Sequence, residues 1–443
     1  MYRVQQTRRY LVLEDGLCFP GYSFGGPGFA PDRLPIGSEP AKAAGEVVFN
    51  TAMSGYLEVL TDPSYTGQIV VMTYPHVGNY GVDREWSETG PEGHAVRQVV
   101  KPAGYVVRSL YGGPVPTGRM RLAEYLEHHR TPGITDVDTR ALTLRLRDQG
   151  SANGVLIDSA APGLGYSGPA GGTGATAAGT SAAETDAKAS ALGAGVPRQV
   201  EEYFSAEDAA RIREFLASFP SMEGRDLISE VGSVESEVFN PSGSPHITLV
   251  DCGSKANILR ELVARGCKVT LVPSKTDAGE IDALDPDAVL FSNGPGDPAV
   301  LDRVVATARG LAGKRPLFGI CLGHQILSEA MGAKTYKMTF GHHGVNHPVR
   351  DEKTRRVFVT SQNHGFAVDE TTLPEGTEVW FRNANDKSVE GIAHEELRIW
   401  TAQFHPESAP GPHDSRWIFD SFVSLATGTG SAPGGQSNRE DTE

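Results

Sequence analysis

One cysteine of this chain lies between glycines, where an apolar run changes into an amphipathic stretch. Cys321 is the centre of Gly319-Ile320-Cys321-Leu322-Gly323. The pattern Gly-x-Cys-x-Gly is typical of a nucleophile elbow, a sharp strand-to-helix turn that needs small flanking residues. Such a turn places the thiol at a helix N-terminus, where the helix dipole favours the thiolate. Cys321 is therefore a candidate nucleophile, with the N–H of Leu322 directed toward a developing oxyanion.

A base and a carboxylate follow further along the chain, in Phe404-His405-Pro406-Glu407. A thiol needs a neighbouring imidazole to act as a nucleophile at neutral pH, and the imidazole needs an acceptor that fixes its tautomer. In an extended segment His405 and Glu407 project to the same side. The motif alone also occurs in ordinary turns. Together with the elbow, it predicts a cysteine hydrolase.

Two other motifs allow more than one interpretation. The loop from Asn293 to Pro298 follows an apolar run and lacks the Lys-Ser/Thr of a P-loop. We interpret it as a loop of backbone donors near the nucleophile, with a plain turn as the alternative. His342, His343 and His347 include a spacing found in metal sites, but no cysteine or clustered carboxylate completes a set. A structural role is favoured for them, and no metal site is predicted.

Composition and charge restrict the class of protein. The 443 residues carry a formal net charge of −15, which argues against nucleic acid as the main partner. No apolar run approaches the length of a membrane span. Arg8-Arg9 precedes only a short apolar run, which favours a first strand over a twin-arginine signal. The remaining cysteines are predicted to be small core residues in a reducing cytoplasm, and they are Cys18, Cys252 and Cys267.

The two halves of the chain predict different folds. The N-terminal part has short β-type runs at 10–14, 17–22, 45–49 and 68–74, with a hairpin signal at Asp15-Gly16. A helix is predicted at 138–149. Another begins at Ser205, which forms a capping pattern with Asp208.

From 246 onwards, strands alternate with helices, and Ser254 is predicted to cap the first of these helices. The alternation indicates a parallel sheet with helices on both faces. Cys321 then lies at the carboxyl end of a strand, where ligands bind in such sheets.

The motifs resemble those of class I (triad) glutamine amidotransferases. Within that class, three further stretches are similar to the small, glutamine-hydrolysing subunits of carbamoyl phosphate synthetase. They are 49–65 with Thr61-Asp62-Pro63-Ser64, then 73–79, and 361–368 with Ser-Gln-Asn-His-Gly-Phe-Ala-Val. Generic amidotransferase domains lack the N-terminal block, so the resemblance covers nearly the whole chain outside the Gly/Ala-rich stretch near 160–195 and the tail.

The resemblance implies a role for each matching residue. Cys321 attacks the side-chain carboxamide of glutamine, His405 transfers protons, and Glu407 orients His405. The N–H groups of Gly294 and Leu322 bind the oxyanion. Eight residues are implied to hold glutamine, and they are Ser64, Gly294, Gly296, Leu322, Gln325, Asn363, Gly365 and Phe366. Ser64 would reach the site from the N-terminal domain.

The resemblance also implies partners and a division of labour. Ammonia passes to a large subunit, which combines it with bicarbonate in arginine and pyrimidine synthesis. No cofactor is expected in this chain, and ATP with a divalent metal ion is expected on the large subunit. Three alternatives remain open at this point: the amidotransferase of another synthase, a non-catalytic subunit that only stabilises a large chain, and a cysteine peptidase built on the same elbow.

The expected fold class is α/β, with a C-terminal parallel-sheet amidotransferase domain and a β-rich α/β N-terminal domain. The segment of low complexity is expected to be a disordered insertion, because it has no apolar periodicity to bury. The predicted divisions are an N-terminal small-subunit domain at 1–159, the insertion at 160–200, a helical connector at 201–244, the amidotransferase domain at 245–426 and a flexible tail at 427–443.

Overall fold

The computed structural model of the chain describes residues 7–83, 86–88, 99–159 and 197–429. The predicted insertion, except for 197–200, and the predicted tail from 430 onwards lie outside these residues. The chain divides into two compact units. The first comprises Met1–Tyr56, Gly67–Trp86 and Pro102–Ser221. The second comprises Leu57–Thr66, Ser87–Lys101 and Met222–Glu443, so it includes two segments from the N-terminal part of the chain.

The first unit is built on an eight-stranded sheet in the order β1-β9-β3-β4-β6-β8-β2-β10, and an additional β1–β2 pairing closes it on itself. Its strands are β1 (Arg8–Leu13), β2 (Leu17–Gly25), β3 (Ala44–Asn50), β4 (Gln68–Met72), β6 (Gly104–Val106), β8 (Pro132–Thr135), β9 (Ala152–Asp158) and β10 (Arg198–Gln199), with a separate pair β5 (His76–Val77) and β7 (Ser109–Leu110). The helices are α1 (Tyr56–Thr61), which continues into the second unit, α2 (Leu122–His128), α3 (Thr139–Gln149) and α4 (Ala206–Ser218).

The local predictions for this unit are confirmed. β1 and β2 form an antiparallel hairpin in which Val12 faces Cys18, and Gly16 adopts the positive φ of 83° that the turn requires. The side chain of Ser205 accepts a hydrogen bond from the N–H of Asp208 and so caps α4. Arg8-Arg9 lies in the first strand, as predicted.

The second unit is built on a ten-stranded sheet in the order β11-β13-β12-β14-β15-β20-β19-β18-β16-β17. Its strands are β11 (Glu237–Phe239), β12 (His246–Asp251), β13 (Lys268–Pro273), β14 (Ala288–Phe291), β15 (Leu317–Ile320), β16 (Thr335–Asp351), β17 (Val357–Val368), β18 (Glu378–Asn383), β19 (Val389–His394) and β20 (Ile399–Ala402). The helices are α5 (Ile228–Val231), α6 (Ala256–Ala264), α7 (Ala278–Ala283), α8 (Asp302–Leu311), α9 (Leu322–Ala330) and α10 (Trp417–Ala426).

Short 3₁₀ helices complete both units, and they are Pro31–Arg33, Pro63–Tyr65, Val200–Glu202, Pro298–Val300 and Glu370–Thr372. Among the described residues, none of the helices has the length and apolar character needed to cross a bilayer.

The second sheet is parallel only in part. Five adjacent strands run parallel to one another, and they are β13, β12, β14, β15 and β20. β11 pairs antiparallel at one edge, and β19, β18, β16 and β17 form an antiparallel half on the other side. Apolar side chains of α6 and α10 pack with one buried cluster, and those of α7, α8 and α9 pack with another. The predicted α/β architecture is therefore confirmed, while the antiparallel half is an addition. Its long hairpin is rich in His, Asn and Gln, so it has no apolar alternation that would have predicted strands.

One predicted helix cap is wrong. Lys255, and not Ser254, occupies the N-cap of α6, and the Ser254 hydroxyl donates to the carbonyl of Lys255. The first N–H groups of α6 are satisfied by a distant residue instead. The carbonyl of Glu88 accepts the Ala256 N–H at 3.1 Å, and its carboxylate accepts the Asn257 N–H at 3.2 Å.

Candidate active site

The elbow around Cys321 has the strained geometry that its sequence predicts. Cys321 joins β15 to α9 with φ 53° and ψ −104°, a conformation that side-chain-bearing residues rarely adopt. A Cβ on Gly319 would lie 2.5 Å from the carbonyl oxygen of Gly323, and a Cβ on Gly323 would lie 2.0 Å from that of Phe291. Both glycines are therefore required by the close approach of backbone around the turn.

The predicted base and carboxylate are hydrogen-bonded to each other. Nδ1 of His405 lies 2.6 Å from Oε1 of Glu407, and both residues are buried. Burial would lower the pKa of His405, but the Glu407 carboxylate and the Cys321 sulfur outweigh it and raise this pKa to about 10. The raised pKa favours the imidazolium form of His405, which is placed to stabilise a thiolate at Cys321 and to donate a proton.

Cys321 itself is buried, and its side chain contacts β17 of the antiparallel half of the sheet. Its Sγ lies 3.5 Å from the carbonyl oxygen of Asn363 on β17, and its N–H donates to the carbonyl of Ala402 on β20 at 2.8 Å. Leu322 is the first residue of α9, where backbone N–H groups have no partner within the helix. The structure thus brings together Cys321, His405, Glu407 and the backbone donor predicted for the oxyanion.

A buried lysine completes the charge arrangement, and the sequence interpretation missed it. Nζ of Lys255 lies 3.1 Å from Oε1 of Glu407 and donates to the carbonyl of Ala409 at 2.7 Å. Burial would raise the pKa of Glu407, but Lys255 and His405 outweigh it and lower this pKa to about 2. Lys255 lies four residues after β12 ends at Asp251, in the loop beyond the carboxyl end of a strand, where functional groups concentrate in open α/β sheets. This position is the feature of the sequence from which a role for Lys255 could have been predicted.

Glu88 is a second buried acid beside Lys255. Burial raises its pKa to about 7, although Lys255 and Arg260 act in the opposite direction. Nη1 of Arg260 lies 3.4 Å from Oε1 of Glu88. The sequence around Glu88 did not indicate that this side chain would be buried beside Lys255. Its partners Asn257 and Arg260 are more than a hundred residues away in the chain.

The Thr-Asp-Pro-Ser segment contacts the site from within the same unit. Ser64 is predicted to reach in from the N-terminal domain, whereas Leu57–Thr66 belongs to the second compact unit in the structure. The Ser64 hydroxyl accepts a hydrogen bond from Nδ2 of Asn293 at 3.0 Å. Oδ2 of Asp62 accepts one from Nδ2 of Asn363 at 2.9 Å. Asp62 therefore holds the residue whose carbonyl faces the thiol.

Two of the remaining predicted glutamine-binding residues, Gln325 and Gly294, contact β17 and the elbow, respectively. The Gln325 side chain donates to the carbonyl of Phe366 at 2.8 Å and to Oε1 of Gln403 at 2.9 Å. A Cβ on Gly294 would lie 2.0 Å from the carbonyl oxygen of Cys252 and 2.9 Å from Leu322.

The other two glycines predicted to bind glutamine contact residues outside the elbow. Gly296 has a φ of 99° and forms an isolated bridge with Asp226, and Gly365 lies beside Lys337. Their contact with glutamine stays a prediction, as do the ligand contacts of the other residues.

The other cysteines are core residues, as predicted. Cys18, Cys252 and Cys267 are each buried within a different apolar cluster. Burial raises the pKa of all three thiols, that of Cys267 to about 11. Protonated thiols in apolar surroundings are poor nucleophiles.

Comparison with known proteins tests the resemblance directly. A family model described as glutamine amidotransferase class-I matches residues 248–425, and one described as carbamoyl-phosphate synthase small chain, CPSase domain, matches residues 11–156. The carbamoyl phosphate synthase small chain of Methanopyrus kandleri is 41% identical over 421 residues, covering 94% of this chain and 99% of that one. This chain belongs to the carbamoyl phosphate synthase small chain family.

Other relatives in the family agree. The small chain of Methanocaldococcus jannaschii is 40% identical over 416 residues, with 94% of this chain and 98% of that one covered. The small chain of Chlorobaculum tepidum is 39% identical over 426 residues, with 95% and 98% covered. The predicted fold class and the predicted enzyme class, a glutamine-hydrolysing carbamoyl phosphate synthase, are confirmed by these matches.

Proposed function

We propose that this chain hydrolyses L-glutamine through Cys321, His405 and Glu407 and supplies the ammonia for carbamoyl phosphate synthesis. The observation that supports it is the juxtaposition of a strained elbow thiol with a histidine hydrogen-bonded to a buried carboxylate.

The reaction proceeds in two steps. The Cys321 sulfur attacks the carboxamide carbon of glutamine, and the oxyanion is stabilised by the N–H groups of Leu322 and Gly294. His405 gives its proton to the leaving nitrogen, so ammonia departs and a glutamyl thioester remains on Cys321. A water molecule, deprotonated by His405, then attacks the thioester carbon. Glutamate leaves, and the sulfur is restored.

Glutamine is bound by the residues that match the family motifs. Ser64 and Gln325 supply side-chain polar groups, and Gly296, Asn363, Gly365 and Phe366 supply backbone groups to the amino acid. The existing bonds of Gln325 to Phe366 and Gln403 keep its carboxamide oriented in a buried position.

The ammonia is transferred to a carbamoyl phosphate synthetase large subunit, which combines it with bicarbonate at the expense of ATP in arginine and pyrimidine synthesis. We assign ATP and its divalent metal ion to that partner, and no cofactor to glutamine hydrolysis in this chain. The unpaired cysteines are consistent with a reducing cytoplasm as the location.

The test is covalent labelling with an electrophilic glutamine analogue, read by intact mass and peptide mapping, with excess glutamine as competitor. We expect one adduct on Cys321, suppressed by glutamine and absent from Cys321→Ser. Labelling of Cys18, Cys252 and Cys267 to the same extent, or no labelling of the chain in complex with its large subunit, would overturn the proposal. A non-catalytic stabilising subunit would then be the better interpretation.

A further inference from the structure

A cluster of buried polar side chains lies on the antiparallel half of the second sheet. His342 on β16 is directly opposite His364 on β17, and Glu390 lies on β19. Their exposed fractions are only 5%, 5% and 0%. One potential ligand atom of each residue lies within 4.8 Å of those of the other two. The sequence offered only neighbouring histidines for His342, whereas the sheet supplies another histidine and the missing carboxylate.

Each histidine has one ring nitrogen held by an acceptor. Nε2 of His342 lies 2.7 Å from Oδ2 of Asp386, and Nδ1 of His364 lies 2.8 Å from the carbonyl oxygen of Phe366. In the neutral ring, the nitrogen that faces the acceptor carries the proton, and the opposite nitrogen then presents its lone pair. Those opposite nitrogens are buried and have no hydrogen-bond partner among the residues described. This is how metal-binding histidines are oriented in proteins.

The carboxylate of Glu390 is likewise oriented. Its Oε1 accepts a hydrogen bond from Nδ2 of Asn383 at 2.9 Å, and its Oε2 accepts one from Nε2 of Gln362 at 2.8 Å. These amides orient the carboxylate without neutralising its charge. Oε1 of Glu390 lies 3.4 Å from Nδ1 of His342. Ligand atoms about 2.0–2.1 Å from a tetrahedral zinc ion are separated from each other by about 3.4 Å.

We propose that His342, His364 and Glu390 form a binding site for one divalent transition-metal ion, with Zn²⁺ as the best fit. Two imidazole nitrogens and one carboxylate oxygen suit Zn²⁺, whereas Mg²⁺ and Ca²⁺ favour oxygen ligands. A cavity of about 590 Å³ is lined by His342 and Asp386 among others. Of the three proposed ligands only His342 lines this cavity, so an ion would enter from the His342 side.

The ion would hold together the strands that carry part of the candidate active site. His343 and Asn363 are the chain neighbours of His342 and His364, and they face each other in the register of β16 and β17. Nδ1 of His343 lies 2.9 Å from the side-chain Oδ1 of Asn363. The backbone carbonyl oxygen of the same Asn363 faces the Cys321 thiol. The metal is thus a structural brace for Asn363. The site is inferred independently of the proposed glutamine chemistry.

The competing explanation is a buried ion cluster without metal. Burial would lower the pKa of His342, but Asp386 and Glu390 outweigh it and raise this pKa to about 9. A doubly protonated His342 would then donate to both carboxylates. Direct measurement of metal binding separates this cluster from the metal site.

The experiment uses the full chain, stripped with a chelator and titrated with Zn²⁺ against a chromophoric competitor. We expect one tightly bound equivalent in the wild type and in Cys321→Ser, which removes the thiol as an alternative ligand. Binding should weaken by ~100-fold or more in His364→Gln and in Glu390→Gln. His413→Gln, at an exposed position, should bind as the wild type does. Co²⁺ in place of Zn²⁺ should give the visible absorption of a tetrahedral nitrogen and oxygen site.

Two results would overturn the proposal, and the first of them does not depend on any variant folding. One is a wild-type chain that takes up no tightly bound Zn²⁺. The other is an equivalent of Zn²⁺ that is lost in Cys321→Ser, which would assign the ion to Cys321 and His405. Circular dichroism of the His364 and Glu390 variants shows whether weaker binding reflects lost ligands in a folded chain.

Discussion

The charges of the candidate triad depend on side chains outside it. Glu407 accepts from His405 and from Lys255 through the same oxygen, and both cations lower the pKa of this carboxyl group. A buried carboxylate without such partners would take up a proton at neutral pH and could not hold an imidazolium. The chemistry of His405 therefore rests on a lysine that acts through the shared Glu407 carboxylate.

Replacing Glu407 with glutamine should change the pH dependence of glutamine hydrolysis. The Glu407 carboxylate is the first of the groups that raise the pKa of His405 to about 10, so its removal should lower this pKa by more than ~1 unit. His405 then loses its proton at lower pH, and the alkaline limb of the kcat/KM profile moves in the same direction. Glu395→Gln, at an exposed turn, is the control and should retain the wild-type profile. An unmoved alkaline limb would contradict the assignment.

Replacing Lys255 with methionine should destabilise the fold. Both partners of the Lys255–Glu407 pair are fully buried, and removal of one partner of such a pair costs roughly 3–5 kcal/mol. Glu407 has a pKa lowered from 4.5 to about 2, so its contribution is present above pH 4.5 and is lost as the pH falls through 2. In Lys255→Met the loss should begin at higher pH.

The Lys255 prediction is checked by urea unfolding at several pH values. Lys314→Met is a matched control, because the Lys314–Asp282 ion pair lies at the surface with the lysine side chain 57% exposed. Exposed pairs contribute about 0–1 kcal/mol, so this variant should unfold almost as the wild type does. Equal destabilisation by both substitutions would show that burial of the Lys255 pair has no special effect.

At the scale of elements, the junction of β15 and α9 shows why the elbow needs glycine on both sides of the cysteine. β15 lies between β14 and β20 in the parallel part of the sheet, so α9 starts against neighbouring backbone. The prospective Cβ of Gly323 meets a carbonyl of β14, which is held in the sheet and has no freedom to move aside. A position of this kind tolerates no side chain.

We expect Gly323→Ala to destabilise the second unit by at least ~1–3 kcal/mol and to abolish glutamine hydrolysis. The added Cβ would lie 2.0 Å from the Phe291 carbonyl oxygen, so the elbow must shift and displace Cys321. Gly279→Ala in α7 is the control, because its Cβ would meet only ordinary contact at 3.4 Å. Alanine is also the better helix former, so the control should be neutral or slightly stabilised in thermal unfolding. Wild-type activity in Gly323→Ala would refute the strained elbow.

The molecule as a whole has two compact units, each with its own sheet and apolar clusters. The family match extends over both, since relatives align with 94% of the chain. The Gly/Ala-rich segment at 160–195 lies between β9 and β10 in the chain and has little apolar surface to bury. Its composition argues that neither core requires it.

Replacing 160–195 by a Gly-Ser repeat of the same length should leave folding and glutamine hydrolysis unchanged. A segment without apolar periodicity adds little to a core, so the midpoint of thermal unfolding should stay within about 2 °C of the wild-type value. A shorter linker in a second variant tests whether length matters while composition is constant. A fall in melting temperature in the equal-length variant would show that this segment contributes specific contacts.

Residues whose role depends on local backbone geometry can be recognised from the sequence alone. Cys321 between its glycines, His405 with Glu407, the β1–β2 turn and the Ser205 cap all follow from rules that operate over a few neighbouring positions. The same local patterns, matched along nearly the full length, indicated the family.

Contacts between distant parts of the chain had no such local pattern. Asp62 and Asn363 are 301 positions apart, and the cluster of His342, His364 and Glu390 joins three strands of one sheet. Lys255 pairs with Glu407 because the loops that follow β12 and β20 both begin at the same edge of the sheet. Burial then sets the protonation of these groups, and burial is a property of the packed molecule rather than of any stretch of residues.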